Sequence, residues 1–419
     1  MRKRTTRALA VAATGAVVLA GCGRGGPGGG DDEKVTGGKL VLAVLNDQSG
    51  IYADLSGKNA VTAVQMAVDD FKARHGDKAV AAEIEVVSAD HQNKPDIANS
   101  KAQELYDRQG AAVILDVPTS SAALAVATQA KQKKKLYLNV TAATTELTGA
   151  QCNKYTFHYA YDTWMLANGT GRTVTEQGGE TWYIVYPDYA FGQDMQKSFT
   201  AAIKAAGGSV VAADPTPFPN DNFSTFLLKA PTLSPKPAVL GTMQAGGDLV
   251  NLVKQYNEFK LREKGVDLAV GLMFITDIHS LGPDAFAGTT FTDAWYWNFD
   301  KQNREWADKF QAKTGTRPSF AHAGDYSAAT QYLEAVQRAG TDNSDEVVKA
   351  LEGYKFSDFF ARNAEIRAAD HSVVHDVYLA KVKSKAQVTE DWDYEEILKT
   401  IPASEAFRPA AESGCSMGG

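Results

Sequence analysis

The chain reads as an α/β protein with mainly parallel sheets in two successive lobes. Three observations predict this. Residues 40–45, LVLAVL, form a continuous apolar run with no polar face, the mark of a strand buried on both sides of a parallel sheet. Turn residues 46–50 interrupt it, and from Gly57 the residues Ala60, Val64, Ala67, Val68 and Phe71 recur at helical spacing. This strand–loop–helix cycle then repeats and restarts after Gly178-Gly179, which implies two units of similar length. In open α/β sheets, the loops at the carboxyl ends of strands are where ligands bind. Loop 46–53 is therefore the first place to look for a site.

In chain order, strands are expected at 83–89, 112–116 and 136–140, with helices at 97–109 and 122–132 between them. Residues 155–160 alternate in polarity, and Tyr161-Asp162-Thr163 opens a helix ending near Gly178. The second cycle has strands at 181–186, 209–214, 238–243 and 268–275, with helices at 195–206, from 223, and at 247–259. Residues 291–297 form an aromatic-rich strand. Residues 303–314 and 326–339 follow as helices, and Ser344 is expected to cap another, to Leu351. Residues 373–382 alternate as a strand, and 392–401 are read as a short helix before a Gly-rich tail.

The 419 residues suffice for two domains, and 44% hydrophobic with 22% charged residues is ordinary for a soluble protein. The N-terminus differs. Arg2, Lys3, Arg4 and Arg7 precede a 12-residue apolar run at 8–19, too short to span a bilayer. Leu19-Ala20-Gly21-Cys22 resembles a bacterial lipobox. Residues 1–21 are thus expected to be a lipoprotein signal peptide, Cys22 the lipidated residue, and 22–38 a Gly-rich flexible tether. Loss of residues 1–21, which hold four cations and no acids, takes the formal charge from −7 to −11. That argues against nucleic acid and against electrostatic docking on anionic lipid. Outside the cytoplasm, the remaining Cys152 and Cys415 are expected to pair as a disulfide.

Signatures of chemistry are missing. The first strand is not followed by GxGxxG, and there is no P-loop, GxSxG, CxxC or HExxH. His371 and His375 are four apart but fall in an expected strand, where that spacing does not make a metal site. No nucleophile is paired with a base. The expectation is no cofactor, no metal and no catalysis.

The lipobox, Ser49-Gly50-Ile51-Tyr52-Ala53, Thr119-Ser120-Ser121, Glu146-Leu147-Thr148 and Ala323-Gly324-Asp325-Tyr326-Ser327-Ala328 occur in a matching order. Together they resemble the substrate-binding proteins of branched-chain amino acid ABC importers, with the type I periplasmic-binding fold. The resemblance spans residues 39–385. It implies two Rossmann-like lobes joined by three crossovers. The N-terminal lobe would hold 39–159 plus 285–368, the C-terminal lobe 160–284 plus 369–390, and 391–419 a tail.

It also implies an interlobe site. Tyr52 matches an aromatic near the ligand, with Ser49 on the same loop. Ser120 and Ser121 fall where a hydroxyl and backbone N–H hold a carboxylate, and Thr141, Ala142, Ala143 and Thr144 where the next strand does the same. Phe191 matches an aromatic facing the ligand, and Asp248 an acid for an ammonium group. Tyr161 and Asp162 at the first crossover, and Tyr296, are further wall candidates. Each has a packing or capping alternative: Ser120 and Ser121 suit a helix start, and Asp248 suits a helix dipole. The turn at Thr144-Thr145-Glu146 lacks a proline, and the pocket is crowded with aromatics. This leaves the ligand open between a branched-chain or related amino acid and a small aromatic carboxylate. The implied partners are that carboxylate ligand, ABC permease subunits and a membrane reached through the lipid anchor, with the protein a monomer. The alternative is a ligand sensor reporting to a membrane partner.

Overall fold

The computed structural model describes Val35 and residues 38–417. The expected signal peptide, Cys22 and most of the tether lie outside the described residues. The first lobe is built on strands β1 (Lys39–Asn46), β2 (Glu83–Asp90), β3 (Val113–Asp116), β4 (Leu136–Asn139) and β5 (Thr156–His158). All pair in parallel, in the order β2-β1-β3-β4-β5. β1 lies inside this sheet and is buried from Leu40 to Asn46, as its unbroken apolar run requires. Helices α1 (Gly57–His75), α2 (Pro95–Asp107) and α3 (Ser120–Lys133) connect the strands. α1 buries Ala60, Val64, Ala67, Val68 and Phe71, the stripe visible in the sequence.

After β5 the chain passes through α4 (Thr163–Leu166), a π-helical turn (Ala167–Gly171) and α5 (Arg172–Glu176) into the second lobe. There β6 (Thr181–Pro187), β7 (Ser209–Thr216), β8 (Val239–Thr242) and β9 (Asp267–Val270) form a parallel sheet, order β7-β6-β8-β9. Helices α6 (Ala190–Ala205), α7 (Ser224–Lys229), α8 (Gly246–Glu258) and α9 (Ile275–Leu281) accompany it. Two mainly parallel sheets with covering helices in two lobes make this an α/β fold, as the sequence predicts.

Among the remaining segments the helices expected at 303–314, 326–339 and to Leu351 are present, and the strands and residues 392–401 differ from expectation. β10 (Thr290–Asp293) packs on the π-helical turn: the Thr170 and Thr292 hydroxyls are 2.9 Å apart. The strand thus packs against elements of the second lobe. It also stops four residues earlier than the expected 291–297. Helices α10 (Lys301–Thr314), α11 (Phe320–Ala339) and α12 (Ser344–Leu351) follow, with α11 packed on α1 of the first lobe. α12 is capped by Asn343, not Ser344: the Asn343 side chain accepts from the Asp345 and Glu346 amides at 3.0 and 3.3 Å.

A small antiparallel sheet of β11 (Lys355–Phe356), β12 (Ala364–Ile366) and β13 (Val373–Val374) joins β5 through a bridge between His158 and Ser372. The expected strand 373–382 is therefore two strands. Its second part, β14 (Val377–Val382), pairs between β10 and β15 (Glu395–Ile401). His375 fixes the corner, its Nε2 2.9 Å from the Ala160 carbonyl. Residues 392–401 are not a helix. Glu395, Glu396 and Lys399 are good helix formers, but pairing along β14 overrides their propensity. α13 (Ala403–Ala406) leads to Cys415, which is disulfide-bonded to Cys152 with Cα atoms 5.7 Å apart. The C-terminal tail thus holds a strand and a strap pinned by the expected disulfide.

Candidate functional site

The loops at the carboxyl ends of β1, β3, β4 and β6 face one another between the lobes. The β1 loop is wound around Asp47, whose carboxylate accepts from the Gly50 amide at 2.7 Å, the Tyr52 amide at 2.9 Å and the Asn93 side chain. This winding sets Tyr52. Its hydroxyl meets the Tyr189 hydroxyl of the other lobe at 2.6 Å. The Gly247 amide donates to the Ile51 carbonyl at 3.3 Å across the same gap. Gly246 has φ +54°, and a Cβ there would lie 2.7 Å from the Ile51 oxygen, so close approach of the lobes requires glycine.

At the end of β3, Asp116 and Val117 hold φ of 76° and 67°. A β-branched residue in that region is strained, and such strain clusters at functional sites. The turn delivers Pro118 to the cleft and starts α3 at Ser120. Asp116 is fully buried. It accepts from Asn46 Nδ2 at 2.9 Å and from the Thr141 hydroxyl, and burial pushes its carboxyl up to about 6. Ser120 is also fully buried, and its hydroxyl has no hydrogen-bond partner among the described residues. It stands in the first turn of a 14-residue helix, where backbone N–H groups favour an anion.

The cavity between the lobes measures about 10 Å³, the space of one water-sized sphere. Tyr52, Leu55, Pro118, Thr141 and Tyr161 line it from one side, and Tyr189, Phe191, Ala245, Leu272 and Phe274 from the other. Burial holds the phenols of Tyr52, Tyr161 and Tyr189 above their ordinary range, so they stay neutral donors and acceptors. Tyr161 donates to the Thr141 carbonyl at 2.5 Å. Asp248, in the first turn of α8, is buried. Both its oxygens accept from the Asn220 amide, at 3.0 and 3.1 Å, and burial pushes it up to about 7. Its charge acts on both Tyr52 and Tyr189.

Of the residues singled out from sequence, Tyr52, Thr141, Tyr161 and Phe191 line this cavity. The others take different places. Ser49 is exposed and donates to Asp90 at 2.6 Å. Ser121 is half-buried behind Ser120. Ala142 and Ala143 are buried, their carbonyls accepting from His158 and from the Thr163 amide. Thr144 caps the 3-10 turn Thr145–Thr148, and Asp162 caps α4 by accepting from the Met165 amide at 2.7 Å. Tyr296 is away from the cavity, its hydroxyl bonded to Asp393 at 2.9 Å, in a cluster where Trp295 and Trp297 donate to the Phe359 and Trp392 carbonyls.

Tyr189, Leu272 and Phe274 escaped the sequence reading. Tyr189 lies between the strand expected at 181–186 and the helix expected at 195–206, where nothing local separates it from Phe191. Residues 272–274 were hidden in an overlong strand, which ends at Val270.

Residues 39–387 match the family model described as periplasmic binding protein. A periplasmic binding protein of Burkholderia mallei is 43% identical, with a TM-score of 0.86, covering 91% of this chain and 99% of that one. A branched chain amino acid ABC transporter periplasmic ligand-binding protein of Burkholderia xenovorans is 34% identical, with a TM-score of 0.80, covering 90% and 99%. A Leu/Ile/Val-binding protein homolog of Brucella melitensis is 23% identical over 301 residues, 68% of this chain and 70% of its own length. With two facing lobes closed on an aromatic cavity, this chain belongs to the periplasmic binding proteins of the branched-chain amino acid class.

Proposed function

We propose that the chain captures a small carboxylate-bearing solute in the interlobe cleft and delivers it to the permease of an ABC importer, outside the cytoplasm and tethered through a lipidated Cys22. Binding is the output: lobe closure marks the loaded protein for its partner. It acts as a monomer and needs no cofactor. The observation that carries this reading is the pairing of an unpartnered buried hydroxyl at a helix start, Ser120, with a neutral aromatic cavity a few residues away. A carboxylate would satisfy Ser120 and the first amides of α3. An apolar body would lie among Tyr52, Tyr161, Tyr189, Phe191 and Phe274. The cavity lining has no cationic side chain, so the carboxylate is held by hydroxyl and amide donors. We include Ser121 and the 141–144 loop in the carboxylate wall.

Asp248 separates the two ligand classes. A branched-chain amino acid would set its ammonium against Asp248, whereas an aromatic acid has nothing for that carboxylate to pair with. A thermal-shift screen of the mature chain tests both. Leucine, isoleucine, valine, benzoate and 4-hydroxybenzoate are the first arms, since a true ligand raises Tm by mass action. No shift with any of them sinks the ligand class proposed here.

A further inference from the structure

A second cavity, of about 290 Å³, shares no lining residue with the cleft. It lies where α4, the π-helical turn, α6 and the C-terminal strap meet. Its size is near the lower end of small-molecule sites. Three side chains in its wall carry unspent donors. The half-buried Arg408 guanidinium makes no hydrogen bond or ion pair among the described residues; it reaches Asp162 only as a longer-range charge. Lys197 on α6 also has no ion-pair partner among the described residues, and the half-buried Trp164 indole N–H finds no acceptor among them. Arginine holds five donors in a fork matched to a carboxylate, and at Arg408 that fork is free to take one.

The opposing charge in the wall is Asp194, and its oxygens are already engaged. They accept from the Thr145 amide at 2.6 Å, the Thr145 hydroxyl at 3.0 Å and the Thr163 hydroxyl at 2.7 Å. Two cations against one engaged carboxylate leave the cavity electropositive. The rest of the wall is mixed: the Trp164 ring and three alanines of α6 supply its apolar part, and Thr145, Asn168 and Ser198 its polar part. Arg408 is held in place from both ends. Its carbonyl accepts from Arg367 Nη1 at 2.8 Å, and seven residues on the strap is pinned by the Cys152–Cys415 disulfide.

We propose that this cavity is a second binding site, for a small carboxylate with a flat apolar body, the carboxylate on Arg408 and Lys197 and the body on the Trp164 ring. The site is independent of the cleft and of the ligand assigned to it. The test is a titration of the mature chain with benzoate, read by tryptophan fluorescence. Benzoate is expected to change a component of the emission that Trp164→Phe removes. Arg408→Gln is expected to weaken that binding about tenfold or more, as loss of a charge-assisted pair does. Lys197→Gln, at an exposed helix position that folding does not need, should weaken it by a smaller factor. Tyr52→Ala, a cleft variant, should leave this component unchanged, which separates the two sites. The proposal is overturned if millimolar benzoate produces no Trp164-dependent signal. It is equally overturned if Arg408→Gln and Lys197→Gln, both folded by circular dichroism, bind as the parent does.

Discussion

Two aromatic clusters of similar composition do opposite things in this molecule. The ring N–H groups of Trp295 and Trp297 and the hydroxyl of Tyr296 each have a partner: the Phe359 carbonyl, the Trp392 carbonyl and Asp393. Trp297 is further stacked by the Arg317 guanidinium, 3.9 Å from its ring centre. Around Tyr52, Tyr161, Tyr189 and Phe191 the rings come from loops of both lobes and bound a cavity. The Tyr52 and Tyr189 hydroxyls satisfy each other only while the lobes are together. The first cluster is a buried core in which these three polar groups are paired within the fold. The second is a closure surface, where the two lobes meet and the Tyr52–Tyr189 pair bridges them. Aromatic content alone does not separate a core from a site; what separates them is whether the covering elements can part.

That contrast can be broken most severely in the core. Trp295→Ala should cost about 3–5 kcal/mol of stability, as large-to-small changes at buried tryptophans do. Thermal melts would show it, and cleft affinity in the surviving folded fraction should be unchanged. In the cleft the order reverses. Tyr52→Ala should weaken ligand binding about tenfold to a hundredfold by calorimetry, with Tm nearly unmoved. A Tm loss as large as that of Trp295→Ala would place Tyr52 with the core instead.

Asp248→Asn sharpens the chemistry of the closure surface. If the ligand is an amino acid, the variant should lose about tenfold in affinity through loss of the ammonium partner. Parent affinity should then rise from about pH 6 to about pH 8, because burial places the Asp248 carboxyl near 7 and only the ionised form pairs. For a plain aromatic acid both effects change sign.

The smallest effect concerns Asp325, fully buried on α11 with both carboxyl oxygens unpartnered among the described residues. Burial, with Asp116 nearby, holds it well above the usual carboxylate range. The folded protein keeps its proton while the unfolded chain releases it above about pH 4. Its stabilising contribution is therefore present in acid and lost as pH rises through the folded value. Asp325→Asn should raise Tm at about pH 8, by about 2–4 °C per kcal/mol recovered, and do little near pH 4. A lower Tm at both pH values would show that the carboxyl has a structural partner.

How much of this was legible beforehand follows from what each feature depends on. The alternation of strand and helix, the buried run of β1 and the stripe of α1 are local patterns, and each appears where the sequence puts it. Residues 395–401 were misread because their helix-forming side chains speak locally, while the partner strand that decides them is 13 or more residues away. Ser344 lost its cap to Asn343 by one residue, a distinction of side-chain geometry that composition does not carry.

The sequence by itself determined the α/β class, the two-lobe arrangement and the strand-end loops that could hold a site, because periodicity and turn residues act over a few positions. It also put the two cysteines of the disulfide in view. Only the tertiary structure decided which aromatics face a cavity and which are sealed. Tyr189 and Phe274 line the cleft, Tyr296 does not, and the C-terminal strap that carries Arg408 closes a second cavity. These outcomes rest on contacts between segments more than a hundred residues apart, such as Tyr52 with Tyr189 or Cys152 with Cys415, and no local pattern encodes which distant surface a side chain will meet.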